Sequence, residues 1–304
     1  MSNENKIDWP TKTREIKNVF LDSTRWNGFV FRGDDIVIAT YGKAGTTWMQ
    51  QIVAQLIFAG RDVPVGELSP WLEFPMFPKE MVLGSLAAQT HRRFIKTHLP
   101  IDALVFSPRA KYIYVGRDGR DVIWSYYAFH SGFKAPPPEA VKALEAQGIK
   151  LPPTANADIR AYYHEWLDKD GYPFEPFFPH VQGWWDVRHL PNVLMLHYND
   201  LKADMEKEIR RVADFLGVSI AADLWPTVLE HCTFDYMKRR ADAVAPLGAA
   251  NIEGGRTAFF HKGTNGRWRD VLSSAESKKY EDLSSQRLTP DCARWLAAGK
   301  TAGH

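Results

Sequence analysis

Four side chains in the first half of this chain can bind an anion or accept a proton: Lys43, Lys96, His98 and Arg117. Each lies at or just beyond the carboxyl end of a short apolar run of the kind that forms buried strands. Parallel sheets bind ligands outside the carboxyl ends of their strands. Ammonium and guanidinium groups stabilise phosphate-like charge, and an imidazole accepts protons near neutral pH. The spacing therefore predicts one composite site for an anionic substrate.

The segment Tyr41–Trp48, with the sequence YGKAGTTW, is the most specific of these signals. It lies between a strand-like run, 36–40, and an amphipathic run, 49–59. A strand, a Gly-rich turn and a helix start bring backbone N–H groups and a helix N-terminus to an anion, and Thr46 and Thr47 add hydroxyl donors. The Walker A motif needs a glycine five residues before its Gly-Lys pair, where this chain has a valine. The segment thus predicts a phosphate binder other than an ordinary ATPase.

A second phosphate-binding pair is predicted from Arg117 and Ser125. Residues 111–115 form an apolar strand candidate, and the sequence GRDGRD follows it. Arg117 would therefore lie at the strand end, and Ser125 two turns along the next helix. A guanidinium and a hydroxyl in this arrangement can bind a second phosphate group.

Three segments occur together in the chain: GTTW at 45–48, KTHLP at 96–100, and RDGRDVIWSYY at 117–127. With Lys262-Gly263 near the C-terminus, they resemble the cytosolic sulfotransferase family over about residues 25 to 270. The resemblance implies an α/β fold with a P-loop-like phosphosulfate-binding loop. It also implies transfer of a sulfuryl group from 3′-phosphoadenosine 5′-phosphosulfate (PAPS) to a hydroxyl or amine.

The resemblance assigns catalytic roles to four residues. Sulfuryl transfer resembles in-line phosphoryl transfer, which needs a base for the acceptor proton and cations for the developing charge. His98 is the implied general base. Lys43 stabilises the leaving phosphate oxygen, and Lys96 is a second cation near the transferring group. Ser125 contacts the 3′-phosphate and restrains Lys43 until the acceptor binds. No metal ion is predicted.

The resemblance also implies a set of cofactor contacts, from which this chain departs in places. The set is Lys43, Ala44, Gly45, Thr46, Thr47, Trp48, Arg117, Ser125, Tyr198, Thr233, Phe234, His261, Lys262 and Gly263. His261 replaces an arginine of the family and Arg267 an aspartate, while Gly42 and Ala44 replace a proline and a serine. A histidine carries charge only below its pKa, so we expect cofactor affinity to weaken as pH rises through roughly 6–8.

The adenine is expected to bind among aromatic side chains. Trp48 and Phe234 match the family's stacking pair, and Tyr198 matches its adenine-contacting tyrosine. Cys232 stands where the family commonly has a threonine. A thiol is a weak hydrogen-bond partner. Either Thr233 makes that contact instead, or the contact is lost.

Hydrophobic periodicity predicts a single α/β domain over 1–304 with a central parallel sheet flanked by helices. A leading helix is predicted at 11–22, and each predicted strand is followed by a helical pattern, as a parallel α/β sheet requires. The predicted strands are 36–40, 93–97, 111–116 and 193–197.

Two regions interrupt this pattern. The first, 133–185, combines proline clusters and aromatic residues with a short helical stretch at 139–147. The second, 246–256, is rich in small residues and reads as a mobile loop. Long irregular segments in a compact domain are commonly lids or binding loops, so 133–185 is expected to lie on the substrate side.

Bulk composition argues against several other protein classes. The formal net charge of +2 gives no long-range field for nucleic acid or an anionic membrane. No apolar run approaches the length of a membrane helix, and the first twenty residues contain no apolar signal segment. Cys232 and Cys292 are far apart and are expected to be reduced thiols. These features predict a cytoplasmic protein.

The acceptor and the oligomeric state are less well specified. Aromatic residues in 71–77, 129–133 and 172–185 favour a small hydrophobic or aromatic acceptor, although packing is the commoner role for any one of them. The family's usual C-terminal dimer motif is not preserved at 269–278, where Ser-Ser replaces Thr-Val and a lysine replaces a glutamate. A monomer and a different homodimer both remain open.

Two other functions compete with sulfuryl transfer. A P-loop kinase for a small molecule would need ATP, magnesium and Walker-type lysine spacing, which the chain lacks. A non-catalytic nucleotide-binding module would have no need of a base such as His98.

Overall fold

Four parallel strands in the order β2-β1-β3-β4 form the centre of the structure, a computed structural model. It describes residues 7–146, 148–246, 253, 255, 260 and 263–300. The strands are β1 (Ile36–Thr40), β2 (Phe94–Thr97), β3 (Lys111–Gly116) and β4 (Val193–His197). The predicted α/β class and parallel sheet are therefore confirmed, and β2 begins one residue later than predicted.

Helices cover both faces of the sheet. They are α1 (Thr46–Ile57), α2 (Val65–Leu68), α3 (Lys79–Ala88), α4 (Gly119–Ser131), α5 (Pro138–Glu145), α6 (Ile159–Asp168), α7 (Phe177–Asp186), α8 (Tyr198–Ala203), α9 (Met205–Leu216), α10 (Trp225–His231), α11 (Phe234–Arg239), α12 (Ala241–Val244), α13 (Ser274–Arg287) and α14 (Pro290–Ala298). Within the described residues, none of these helices is both long and apolar enough to cross a lipid bilayer.

The central strand β1 is buried on both faces because its alternate side chains pack into different hydrophobic clusters. Val37 and Ala39 join a cluster that includes side chains of α4, α6 and α7. Ile36 and Ile38 join a second cluster with side chains of α1, α9 and α10. This two-sided burial explains the continuous apolar run at 36–40 and is typical of parallel sheets.

The predicted helix at 11–22 is wrong. The segment is extended and bends around Asn18, whose Oδ1 accepts hydrogen bonds from the backbone N–H groups of Phe20 and Leu21, both at 2.9 Å. Asparagine side chains compete with helical backbone bonds in this way. A single 3₁₀ turn, Ser23–Trp26, follows and is capped by Asp22.

The predicted substrate-side region 133–185 contains more regular structure than its composition suggested. Helices α5 and α6 and most of α7 fall within it. Phe177, Phe178 and Trp184 on α7 are almost fully buried, so these aromatic residues serve core packing. The predicted mobile loop at 246–256 lies almost entirely outside the described residues.

Segment 70–74 runs beside the edge strand β2. Trp71 forms a parallel bridge with Lys96, and the Lys96 N–H donates to the carbonyl of Pro70 at 3.3 Å. The segment thereby covers the free edge of β2. It also brings Glu73 beneath the carboxyl end of that strand, where it binds the backbone of His98.

We expect Asp35→Asn to lower the free energy of unfolding by about 3–5 kcal/mol, because it leaves the buried Arg93 charge without its partner. Asp35 has no exposed surface and accepts hydrogen bonds from Arg93 Nε at 2.7 Å and from a guanidinium NH₂ at 2.5 Å. Urea unfolding measures the loss.

Asp282→Asn is the matched control, because it breaks an exposed pair with Lys278 at 2.7 Å. Such pairs contribute less than about 1 kcal/mol. Equal losses for the two variants would contradict the structural role given to the Asp35–Arg93 pair.

Candidate active site

The four strands end on the same side of the sheet, and the predicted site residues follow these ends. Lys43 comes after β1, His98 after β2, Arg117 after β3 and Tyr198 after β4. The parallel register places these strand ends side by side, as expected for a ligand site of an open α/β sheet.

The loop between β1 and α1 is held in a strained, tightly packed conformation. Lys43 has a φ of 66° and Gly45 a φ of 121°, the first of which is uncommon outside glycine. The Thr46 hydroxyl lies 2.6 Å from the Thr40 hydroxyl, which ties the start of α1 to the end of β1. The twelve-residue helix α1 thus directs its N-terminus toward the loop. This is the geometry that binds phosphate-like anions.

Gly42 leaves room for the hydroxyl group of Tyr126 on α4. A Cβ atom at position 42 would lie 1.8 Å from Tyr126 Oη. The ring of Tyr126 is fixed by stacking on Phe174, with centroids 4.1 Å apart. Gly42 therefore allows α4 to support the loop closely, where the family pattern has a proline.

Lys43 and Lys96 place two positive charges in the site. The Lys43 ammonium lies 4.6 Å from the ring centre of Phe129, and that of Lys96 lies 4.9 Å from the ring of Trp71. Burial lowers the pKa of Lys43 to about 8, and the nearby charges of Arg117 and Lys96 act in the same direction. Burial also lowers the pKa of Lys96 to about 8, an effect that the negative charge of Glu73 opposes.

His98 is oriented by a hydrogen bond between its Nδ1 and the carbonyl oxygen of Thr40 at 2.9 Å. A carbonyl oxygen only accepts, so Nδ1 carries the proton and Nε2 keeps the free lone pair. Burial and the charge of Lys96 lower the pKa of His98 to about 3. The imidazole is therefore neutral near physiological pH, which is the form that can accept a proton.

The backbone of His98 is held from two sides by residues that sequence reasoning did not select. Its N–H donates to Glu73 Oε1 at 2.8 Å, and its carbonyl lies 3.2 Å from His180 Nε2. His180 Nδ1 lies 3.2 Å from the hydroxyl of Tyr114, which completes the chain of contacts. Neither Glu73 nor His180 belongs to a short motif, so only the fold reveals their proximity.

Arg117 connects the loop after β1 to the C-terminal segment. Its guanidinium donates to the carbonyl of Lys43 at 3.1 Å and to Asn265 Oδ1 at 2.6 and 3.1 Å. It also lies 4.2 Å from the ring centre of Tyr198. Ser125 is partly buried on α4, two turns after Arg117. The predicted pair thus lies on adjoining parts of the same strand–helix unit.

Aromatic rings border the other side of the loop. Trp48 packs edge-on against Tyr198 with centroids 5.4 Å apart, and its indole N–H donates to the carbonyl of Cys232 at 2.8 Å. Phe234 begins α11 and packs against the same small cluster as Trp48. Gly263 has a φ of 61°, and a Cβ there would lie 2.7 Å from the Phe234 ring. The glycine therefore lets the C-terminal segment approach this ring.

Thr233, a predicted adenine contact, caps α11. Its hydroxyl donates to the carbonyl of Glu230 at 2.7 Å and accepts from the backbone N–H of Tyr236 at 3.2 Å. Cys232 is fully buried, and burial raises the pKa of its thiol above the ordinary range. Both side chains thus have contacts within the protein: Thr233 is hydrogen-bonded to the backbone, and Cys232 is packed in the interior.

Two of the predicted 3′-phosphate contacts, His261 and Lys262, lie outside the described residues, so these contacts and the associated pH dependence stay predictions. Arg267 begins a 3₁₀ turn, and burial and the charge of Arg117 lower its pKa. The neighbouring Gly266 N–H donates to Asp121 at 2.6 Å. That contact attaches the C-terminal segment to the start of α4.

Comparison with known proteins identifies the class. The family model described as "Sulfotransferase domain" matches residues 33–290. A glycolipid sulfotransferase of Mycobacterium bovis is 33% identical over 319 residues, covering 93% of this chain and 94% of the relative. Sulfotransferase 1A1 of Rattus norvegicus is 28% identical, covering 85% and 86% of the two chains. The chain therefore belongs to the sulfotransferase family, and the predicted family and the sulfotransferase class of enzyme are confirmed.

Solved structures agree on the fold. Mouse sulfotransferase SULT7A1, complexed with 3′-phosphoadenosine 5′-phosphate (PAP), matches with a TM-score of 0.68 at 22% identity, covering 89% of this chain and 90% of the other. Retinol dehydratase, in complex with androsterone and the inactive cofactor PAP, matches with a TM-score of 0.65 at 23% identity, covering 88% and 84%. At this identity the similarity shows the same architecture.

We expect Gly42→Ala to lower the melting temperature, because the added methyl group collides with Tyr126 Oη. Overpacking of this kind costs about 1–3 kcal/mol. Tyr126→Phe removes the closest atom, so the double variant should recover part of the loss in a thermal melt.

Gly33→Ala is the control, because no heavy atom lies within 4 Å of a Cβ at that position. It should melt at the wild-type temperature. A wild-type melting temperature for Gly42→Ala would show that the close packing of Tyr126 does not constrain the loop.

Proposed function

We propose that this protein transfers a sulfuryl group from PAPS to a hydroxyl group of an acceptor with an apolar body. Family membership supports the reaction class. The proposed residue roles rest on one observation: Lys43, Lys96 and His98 lie close together beside the N-terminus of α1. An amine acceptor is a chemically related alternative that the same groups would serve.

The donor would bind across the ends of β1, β3 and β4. The N-terminus of α1, including Gly45, Thr46 and Thr47, would hold the 5′-phosphosulfate with Lys43. Arg117 and Ser125 would hold the 3′-phosphate. An incoming phosphate would share or replace the contact that Asn265 makes with the Arg117 guanidinium. Two structural neighbours, mouse SULT7A1 and retinol dehydratase, are complexed with PAP, which supports a 3′-phosphorylated donor here.

His98 would act as the general base through Nε2. The acceptor hydroxyl attacks sulfur while its proton passes to Nε2, and the S–O bond to the phosphate breaks. The electron pair of that bond leaves on the phosphate oxygen, where Lys43 stabilises the charge. Lys96 would stabilise the transferring group. The low pKa of free His98 reflects burial first and nearby cations second, and a bound anionic donor would offset the effect of the cations.

Aromatic side chains around these groups support an apolar acceptor body. Trp71 and Phe74 stack with centroids 4.5 Å apart, and Trp71 also packs against His98 at 5.0 Å. Phe129 lies next to Lys43 and packs against Phe133. The glycolipid sulfotransferase relative makes a glycolipid hydroxyl a reasonable test acceptor beside phenols and sterols.

We expect His98→Ala to lower kcat by at least about 100-fold, because it removes the base. The dissociation constant of PAP should stay within about threefold, since the proposed donor contacts are intact. Sulfuryl transfer from labelled PAPS to an acceptor panel and calorimetry with PAP measure the two quantities.

The exposed His189 provides the control, because His189→Ala should retain wild-type kcat. Near-normal turnover by the His98→Ala enzyme would refute the base assignment. If neither the wild type nor the variant transfers a sulfuryl group from PAPS, and the wild type phosphorylates an acceptor with ATP, the kinase alternative would be favoured.

We expect kcat/KM to fall as pH rises through about 8. The pKa values of Lys43 and Lys96 are lowered to about 8, so their positive charges are present below that pH and lost above it. The profile of kcat/KM reports the free enzyme. In Lys96→Arg the guanidinium stays charged and only Lys43 titrates near pH 8, so the decline of the residual activity should be less steep. A wild-type profile that is flat up to about pH 10, near the ordinary lysine pKa, would contradict this assignment.

A further inference from the structure

A carboxylate with no exposed surface lies beneath the site and has no part in the proposed proton transfer. Glu73 reaches this position on segment 70–74, which runs beside β2. Burial of an acid is costly unless hydrogen bonds or opposite charge compensate it. Its surroundings therefore indicate what the side chain does.

Four donors surround the Glu73 carboxylate. Oε1 accepts from Trp71 Nε1 at 2.7 Å, from the Thr97 hydroxyl at 2.9 Å and from the His98 N–H at 2.8 Å. Oε2 accepts from Trp26 Nε1 at 2.9 Å. The Thr97 hydroxyl itself accepts from a backbone N–H, so its proton is available for Glu73.

These contacts favour the ionised form of Glu73. Burial raises the pKa of Glu73 above its ordinary value, and the hydrogen bonds from His98, Trp26 and Trp71 oppose that shift. The two indoles and the His98 backbone N–H can only donate, so three of the four partners require Glu73 to accept. The donor geometry thus favours a buried negative charge directly below His98.

Trp71 links this charge to Lys96. Its indole N–H donates to Glu73, and its ring face receives the Lys96 ammonium at 4.9 Å. The charged and titratable groups that face Lys96 are Glu73, Lys43 and His98. Glu73 is the anion among them, so it opposes the burial that drives Lys96 toward its neutral form.

We propose that Glu73 is a positioning residue of the transfer site, which fixes the backbone of His98 and supplies the buried negative charge that accompanies Lys96. It touches neither donor nor acceptor. This inference rests on the proposed function. A purely structural role would make Glu73 matter for stability alone, and the two roles differ in what they do to the pH profile.

The discriminating variant is Glu73→Gln, which keeps the shape and removes the charge. We expect kcat to fall about 10- to 100-fold, as for a small misplacement of reacting groups. The dissociation constant of PAP should stay within about threefold, because the proposed donor contacts lie on other strands. Loss of the negative charge lowers the pKa of Lys96, so the alkaline decline of kcat/KM should move to lower pH.

Asp35→Asn is the matched control. Asp35 is as deeply buried as Glu73 but lies at the opposite end of the sheet, just before β1. Asp35→Asn should lower the melting temperature, and kcat/KM should decline at the same alkaline pH as in the wild type. Glu73→Asp shortens the side chain but keeps the charge, so it should lower kcat and keep the wild-type alkaline decline. This variant tests the inference if Glu73→Gln does not fold.

A direct titration of Lys96 by NMR in lysine-labelled protein, assigned with Lys96→Arg, provides a readout independent of turnover. A lower Lys96 pKa in Glu73→Gln supports the inference. An unchanged Lys96 pKa, or an alkaline decline at the wild-type pH, overturns the inference even if kcat is lower. Glu73 would then have a structural role only. By contrast, a wild-type protein that transfers no sulfuryl group from PAPS refutes the proposed function, and the NMR titration still decides the role of Glu73.

Discussion

The arrangement of this site depends on keeping several positive charges close together where water is scarce. Burial lowers the pKa of Lys43 and of Lys96 to about 8. The charges of Arg117 and Lys96 lower the pKa of Lys43 further, whereas Glu73 opposes the shift of Lys96. Such a site is unfavourable when empty and favourable when an anion fills it. The protein thereby prepares the electrostatic environment of transfer before the donor arrives.

The fold supplies this environment at the carboxyl ends of its buried sheet. Lys43, His98 and Arg117 follow strands whose side chains pack on both faces, and Lys96 lies near the end of β2. Hydrogen bonds then connect the loops directly. Arg117 reaches the carbonyl of Lys43, and His98 reaches that of Thr40. Burial of the sheet and preorganisation of the site are therefore two results of the same packing.

Much of this was predictable from sequence because the signals are local. The four strands appear as short apolar runs, and the loop at 41–48 carries its glycine, lysine and threonines in sequence order. The leading helix at 11–22 was predicted wrongly because one side chain, Asn18, captures the backbone N–H groups that a helix would use.

Glu73 shows what the sequence could not reveal. A single glutamate in a loop is ordinary, and its importance comes from donors contributed by Trp26, Trp71, Thr97 and His98. These residues belong to three separate stretches of chain that meet only in the folded sheet. Similarly, the aromatic residues of α7 looked like a binding loop, because composition does not distinguish a buried helix face from a pocket wall.

The most direct test of the account is a thermal-shift titration of the wild-type protein with PAP, with ADP and ATP as controls. A ligand that binds the native state raises the melting temperature, and the rise grows with the logarithm of ligand concentration above the dissociation constant. We predict a concentration-dependent rise with PAP and little or none with ADP or ATP, because the site at Arg117 and Ser125 should select the 3′-phosphate. A rise with ATP that equals or exceeds the rise with PAP, or no rise with any nucleotide, would contradict the assignment of this strand-end site to a 3′-phosphorylated donor.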